Sequence, residues 1–151
     1  MDKALNTLKT TRQNILKVID NLSTEELNKI PKGFNNNIIW NVAHCPVTHQ
    51  LLTYLMSGNT PKIDQQTISD YRKGSKPEKE VSSVEIDHFK KTLLTSVDDL
   101  CNDLEKLKSS QYQSYTTSFG IELKSIEDAI NFLNIHEGIH FGYILALKRA
   151  L

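Results

Sequence analysis

The sequence predicts an all-α fold, a single four-helix bundle. Four long segments repeat apolar residues at steps of three or four, the spacing that places them on one face of a helix. Residues typical of helix N-caps precede three of these segments, and the chain contains no convincing run of strand-like alternation. Since 151 residues fit one domain, we assign residues 1–151 to a single bundle.

The first half of the chain is predicted to form two long helices joined by a short one. Residues 4–22 carry the first long helix, and a capping box at Ser23 starts the short helix that follows. The second long helix covers residues 38–56. Pro46 lies inside this helix and removes a backbone hydrogen bond, so we expect a kink one turn beyond His44 or a helix that restarts at the proline.

The second half is predicted to contain a crossover and two further long helices. Residues 59–80 are polar and aperiodic, which predicts a long crossover loop between the second and third long helices. A connection of this length favours a parallel arrangement of the helices it joins. Ser82 and Glu85 form a capping box for the third long helix, which extends to about Leu107. The last helix begins after Ser125, and a small extended element could precede it.

Charge and composition exclude several classes of partner. Eighteen Lys and Arg balance eighteen Asp and Glu, so we expect no nucleic acid partner. No apolar run approaches the ~20 residues that span a bilayer, and the first residues lack the apolar segment of a signal peptide. We therefore expect no membrane association and a cytoplasmic protein. Cys45 and Cys101 are too few for a disulfide framework, and we expect two buried thiols.

Two histidines in the last helix form the strongest functional signal. His136 and His140 lie four residues apart on the face predicted to be buried, close enough to bind one metal ion. With Glu137 they match the H-E-x-x-H signature of zinc proteases, but residues 141–151 offer no further ligand, so we disfavour a protease. Glu137 keeps two interpretations, a general base beside the metal or a residue that orients a ligand or faces solvent.

The residues by themselves leave the third metal ligand open. Glu85 and His88 suggest a second half of a di-iron site, but residues 38–56 contain no acidic side chain to complete it, so we interpret His88 as a surface residue. His44 and His49 lie five positions apart and point to different faces of the second long helix. Both faces are apolar, and periodicity does not choose between them.

The motifs Trp40-x-x-x-His44 and His136-x-x-x-His140-x-Gly142 resemble the DinB-like superfamily, which includes the bacillithiol transferases and YfiT-like proteins. The resemblance covers the whole chain in helix order and spacing. It implies an up-down-down-up four-helix bundle, a homodimer in many members, that binds a divalent metal such as zinc or nickel through three histidines. The ligands implied here are His44, His136 and His140.

The resemblance also implies thiol chemistry on a small molecule. Characterised relatives transfer bacillithiol or act as mycothiol-dependent maleylpyruvate isomerases, so we expect a metal-dependent thiol transferase or hydrolase, with a low-molecular-weight thiol as candidate substrate. A bound metal lowers the pKa of water or of an incoming thiol. The alternative is a metal-holding bundle that binds a small molecule or protein without turnover. A metal-free core is disfavoured because three buried imidazoles would need polar partners. We assign Cys45 to packing.

Overall fold

The structure, a computed structural model, describes residues 1–151. Helices make up most of it, and a small antiparallel hairpin is its only sheet. In chain order the elements are α1 (Asp2–Ile19), α2 (Thr24–Asn28), α3 (Ile38–Gln50), α4 (Gln65–Tyr71), α5 (Ser83–Ser109), β1 (Tyr115–Thr116), β2 (Glu122–Leu123) and α6 (Ile126–Arg149). A π-helical turn, Leu51–Leu55, continues α3. The predicted all-α class is confirmed.

Polar side chains start the long helices where the sequence placed their caps. The side chain of Asn37 accepts a hydrogen bond from the Trp40 backbone N–H and so begins α3. Ser82 caps α5 in a complete capping box with Glu85. Ser125 accepts from the backbone N–H at position 128 and begins α6. Each cap satisfies N–H groups that the first helical turn leaves without a partner, which fixes where the helix starts.

The central helix is continuous at its proline. No break occurs at Pro46, because α3 continues through it to Gln50, and the helix does not restart there. The irregular backbone lies further along, in the π-helical turn Leu51–Leu55. Residues 38–47 are all buried, so this segment is held by contacts on every side. That burial explains how the helix tolerates the loss of the backbone hydrogen bond that a proline cannot donate.

The predicted crossover loop contains a helix. Residues Gln65–Tyr71 form α4, with Asp64 accepting a hydrogen bond from the Thr67 backbone N–H at its start. Only Ile68 and Tyr71 of this helix are buried. Two apolar contacts in seven residues give too little periodicity for sequence analysis to detect, and packing against the bundle supplies the stability that a helix this short lacks alone.

The four long helices pack so that α1 and α3 each contact both α5 and α6. The largest buried apolar cluster surrounds α3 and includes Ile15 and Ile19 of α1, Leu93 of α5 and Ile144 of α6. Two smaller clusters extend the core toward the C-terminal end of α5. The structure has no helix with the combination of length and apolar character that crossing a membrane requires.

A buried ion pair ties these four helices together. Arg12 of α1 donates from Nε to Glu137 of α6 at 2.8 Å, and both side chains are fully buried. Its Nη1 donates to the Leu93 carbonyl of α5 at 2.7 Å and to the Ser96 hydroxyl. Its Nη2 lies 3.2 Å from Nδ1 of His49 in α3. One guanidinium therefore fixes the relative position of all four long helices.

The two cysteines differ in exposure. Cys45 in α3 is buried, as predicted, and its buried setting raises the pKa of the thiol well above its usual value. Cys101 in α5 is exposed, so the expectation of two buried thiols is wrong for this residue. It follows the buried Leu100 by one position, and adjacent positions of a helix point in directions about 100° apart.

Candidate metal centre

Three histidines from two helices meet beside a cavity. His44 comes from α3, and His136 and His140 come from successive turns of α6. One ring nitrogen from each lies within 4.8 Å of the others, and Nε2 of His44 is 3.2 Å from Nε2 of His136. Helical periodicity left His44 and His49 as alternatives, and the family resemblance implied His44. The structure places His44 beside the pair on α6.

The backbone of the crossover fixes the tautomer of His44. Nδ1 of His44 lies 2.6 Å from the carbonyl oxygen of Tyr71, at the end of α4. A carbonyl oxygen only accepts, so Nδ1 carries the hydrogen, and the unprotonated Nε2 faces His136 at 3.2 Å and the Thr48 hydroxyl at 3.1 Å. The Trp40 ring stacks on the imidazole, with ring centroids 4.6 Å apart and planes within 13°, and holds the ring plane.

Asn41 fixes the tautomer of His140 in the same way. Its amide nitrogen donates to Asn36 Oδ1 and to the Asn37 carbonyl, which sets the orientation of the amide group. The amide oxygen then faces His140 Nδ1 at 2.8 Å and accepts from it. The lone pair of His140 Nε2 is left free. Hydrogen-bond partners of this kind orient the histidine ligands of metal sites.

The third ring, His136, forms a near-equilateral triangle with the other two, its centroid 5.1 Å from that of His44 and 4.5 Å from that of His140. Its Nε2 approaches His44, while its Nδ1 is buried and has no hydrogen-bond partner. If Nδ1 carries the hydrogen, three unprotonated Nε2 atoms face one another. If Nε2 carries it, Nδ1 becomes a buried acceptor with no donor. A cation among the three Nε2 atoms satisfies the converging lone pairs, so the donor set fits a divalent metal.

Burial keeps the three imidazoles neutral. It lowers the pKa of His44, against the opposing effect of the Tyr71 carbonyl. Burial, together with the neighbouring histidines, lowers the pKa of His136 to about 2 and that of His140 to about 3. Neutral imidazole is the form that binds metal, so the rings do not need to lose a proton near neutral pH.

The histidines open onto a cavity of about 470 Å³, a volume typical of small-molecule sites. Apolar side chains dominate its wall, and Lys73 is the only Lys, Arg, Asp or Glu among the lining residues. The lining comes from α3 and its π-helical turn, from the crossover, from the hairpin and from α6. Residues far apart in sequence therefore build one wall around the three rings.

The other candidates from the sequence lie outside this cavity. Glu137 is fully buried on the side of α6 that faces α1, where Arg12 binds both of its carboxylate oxygens. It neither faces solvent nor reaches the cavity, and this geometry gives no support to a general base. His49 is buried against Arg12, and His88 is exposed on α5, as predicted.

Sequence reasoning missed the residues that support the histidines. Asn41 precedes His44 by three positions, so it shares a helix face with the ligand, and that spacing was an available signal. Tyr71 contributes only its backbone carbonyl, for which no side-chain pattern exists. Lys73 lies in the crossover, and its approach to the cavity depends on how α4 packs.

Residues 7–144 of the chain match the sequence model of the DinB superfamily. The chain belongs to the DinB superfamily. The resemblance seen in its histidine motifs is thereby confirmed over nearly the full length. Proteins of this superfamily bind metal, and the three histidines of this DinB-superfamily chain could hold an ion. A search of curated proteins finds no match to it.

Proposed function

We propose that this DinB-superfamily protein holds a divalent metal ion, zinc or nickel, through His44, His136 and His140, and acts on a small molecule beside it. The observation that carries the proposal is the convergence of three neutral imidazoles within 4.8 Å at the wall of a 470 Å³ cavity. Tyr71 and Asn41 orient two of the rings from behind. When bound, such an ion supplies a Lewis acid with an open coordination position.

The reaction that fits this cavity best is transfer of a low-molecular-weight thiol to an electrophile. No Asp or Glu lines the cavity, and Arg12 engages both oxygens of Glu137. A bound metal would lower the pKa of water and of a thiol alike, but a free thiol already ionises with a pKa of about 8.5, far below that of free water, and so depends less on a base from the protein. The lack of a carboxylate base therefore favours a thiol over water, and hydrolysis is the less supported reaction.

A second candidate is a metal-holding bundle that binds its ligand without turnover. The same observation supports it, because a chain that offers no general base at the cavity has little machinery of its own for proton transfer. The two candidates share the metal and the small-molecule ligand. They differ only in whether a covalent bond changes.

Metal content tests the first part of the proposal. Purified protein, analysed by inductively coupled plasma mass spectrometry, should carry close to one divalent ion per chain, and His44→Ala and His140→Ala should lose it. His88→Ala, which removes an exposed histidine of α5, serves as the matched control and should keep the ion. Retention of metal in both ligand variants would overturn the assignment of these ligands.

An activity screen separates the enzyme from the binder. Low-molecular-weight thiols are incubated with a panel of electrophiles, with metal-loaded protein, with chelator-treated protein and with His140→Ala. Adduct formation that needs both the metal and His140 supports a transferase. A panel in which metal-loaded protein binds ligands but never accelerates adduct formation supports the binder instead.

For the fold we propose the up-down-down-up order of the four long helices, with the crossover joining parallel α3 and α5. Interhelical contacts support parallel α1 and α6, α5 opposite to α1, and α3 opposite to α6. The contacts between α1 and α6 are Asn134–Ala4 and Lys148–Val18. Those between α1 and α5 are Lys9–Asp98 and Arg12–Leu93. Those between α3 and α6 are Asn41–His140 and His44–His136.

For the partner we propose a second copy of the chain, packed on the outer face of α6. This face exposes Ile135 and Leu145, with 49% and 37% of their surfaces accessible. Gly138 and Gly142 lie between them, and a Cβ atom added to either glycine would have no neighbour within 4 Å. An exposed helix face without charge is typical of an interface. Light scattering should give a dimer mass that Leu145→Glu reduces to a monomer mass; a monomeric wild type would contradict the proposal.

A further inference from the structure

The cavity beside the three histidines has two chemically different ends. One, here called the basic end, is formed by Asn36, Trp40, Lys73 and Gly74. The other, here called the apolar end, is formed by Leu52, Leu55, Met56, Phe119 and Phe132. Trp40 stacks on His44, and the Phe132 ring centroid is 6.2 Å from that of His136, so the histidines lie between the two ends. A ligand that fills the cavity therefore meets different chemistry at its two extremities.

The distance between the ends follows from α3. Trp40 is in the first turn of the helix, and Leu52 is in the π-helical turn that continues it. Twelve residues at about 1.5 Å rise give roughly 18 Å between the two backbone positions. His44 lies one turn from Trp40, so a ligand anchored at the basic end passes the histidines before it reaches the apolar end.

The apolar end exposes side chains that a folded protein normally buries. Phe119 in the hairpin is 57% accessible and Leu55 in the π-helical turn is 46% accessible. Phe119 contacts the ring of Phe132 edge-on, with centroids 6.0 Å apart, so the hairpin residue is part of the wall. Exposed apolar groups that line a cavity indicate a ligand with an apolar body.

The basic end carries an unpaired positive charge. Lys73 is the only formally charged residue of the lining, and none of the ion pairs in the structure includes it. The amide oxygen of Asn36 accepts from Asn41, while its amide hydrogens have no hydrogen-bond partner. Two donors and no carboxylate at this end indicate that the group bound there is an anion.

We propose that the cavity selects an organic anion with an apolar body, held with its anionic group at Lys73 and its body against the apolar end. The proposal names the ligand class of the site described above and so rests on the proposed function for its biological meaning. Its physical basis is separate, because neither Lys73 nor Phe119 belongs to the three-histidine cluster. Binding is therefore expected with or without metal.

The single tryptophan of the chain makes the test direct. Trp40 lines the cavity at the basic end, so its fluorescence reports ligand binding without a label. The probes are 8-phenyloctanoate, its amide and 8-phenyloctylamine, which share a body long enough to pass the histidines and differ in charge, together with acetate, which lacks the body. Titrations are carried out on chelator-treated protein and repeated after zinc is added.

We expect 8-phenyloctanoate to bind more tightly than its amide by about fivefold, the value of one ion pair at a solvent-accessible position, and the amine to bind more weakly still. Acetate should not bind in the same range. Lys73→Gln should reduce the affinity for 8-phenyloctanoate to that for the amide. Lys76→Gln, three residues along and outside the lining, is the matched control and should change nothing. Phe119→Ala should weaken all three phenyl probes alike.

Two results would overturn the proposal. Equal affinity of the acid and the amine for wild-type protein would show that the cavity does not discriminate between ligands of opposite charge. An unchanged affinity in Lys73→Gln would show that Lys73 does not bind the anionic group. Because the titration without metal does not depend on the histidines holding an ion, its outcome is separate from the metal analysis. A protein without metal that still prefers the acid would leave this inference in place.

Discussion

Removal of the Arg12 guanidinium should destabilise the bundle far more than removal of any exposed charge. In Arg12→Met a side chain of similar length and apolar character takes the place of the arginine. The variant leaves the Glu137 carboxylate, which is fully buried, without either of the nitrogen donors that bind it. It also leaves the Leu93 carbonyl and His49 Nδ1 without the guanidinium.

The expected magnitude follows from this loss. Breaking a buried ion pair by removing one partner costs roughly 3–5 kcal/mol, because the other charge stays buried and unpaired. For a chain of this length each kcal/mol corresponds to a midpoint shift of about 2–4 °C, so the melting temperature should fall by roughly 6–20 °C. The loss should reach all four long helices together, since the guanidinium contacts each of them.

The assay is urea denaturation followed by far-ultraviolet circular dichroism, with a thermal scan as a second measurement. Lys9→Met is the matched control, because Lys9 lies one turn before Arg12 and pairs with Asp98 at the surface, so the midpoint should barely move. The double variant Arg12→Met with Glu137→Leu removes both charges, and it should recover most of the lost stability.

Two results would refute the reasoning. An Arg12→Met variant as stable as the Lys9→Met control would mean that the buried, unpaired Glu137 carboxylate does not destabilise the folded state as argued. A double variant less stable than Arg12→Met would mean that packing, rather than an unpaired charge, accounts for the loss.

Three further outcomes are expected. Asn41→Leu removes the acceptor of the His140 Nδ1 hydrogen and should weaken zinc binding about 10–100-fold in calorimetric titration, whereas Asn41→Asp should retain most of the affinity. Lowering the pH from about 7.5 to about 5.5 should cost metal-free protein about 1.4 kcal/mol for each of His49, His136 and His140, because burial holds the folded-state pKa of each imidazole well below 6.5 and only the unfolded chain takes up the proton. This stability is present above pH 6.5 and is lost as the pH falls below it. Equal urea midpoints at the two pH values would contradict the prediction. An aromatic disulfide reagent should titrate Cys101 in native protein and Cys45 only after denaturation, and Cys101→Ser should abolish the native reaction.

Local signals predicted much of the fold. Asn37, Ser82 and Ser125 begin their helices as expected, because a cap depends on a hydrogen bond between residues two or three positions apart. The crossover helix α4 was missed, since its formation depends on packing of Ile68 and Tyr71 against the bundle. Sequence periodicity describes one helix at a time and does not contain that contact.

The candidate site also combines features that local sequence signals predict with features that depend on packing between helices. The pairing of His136 with His140 follows from helical spacing within α6. The choice between His44 and His49 depends on which face of α3 packs against α6. Both faces are apolar, so periodicity does not decide it. The sequence leaves Glu137 two interpretations, a general base beside the metal or a residue that orients a ligand or faces solvent. Its burial against Arg12 depends on the packing of α1 against α6, which spacing along α6 does not determine.

The contact between His44 and the carbonyl of Tyr71 has a consequence for how this protein tolerates change. A peptide carbonyl is the same whatever residue carries it, so a substitution at position 71 that keeps the backbone in place leaves the support of His44 intact. A residue inserted into or deleted from the crossover has a different effect, because it places another carbonyl opposite His44 Nδ1 or leaves Nδ1 without an acceptor. The orientation of His44 is thus sensitive to the length of the crossover and tolerant of its composition.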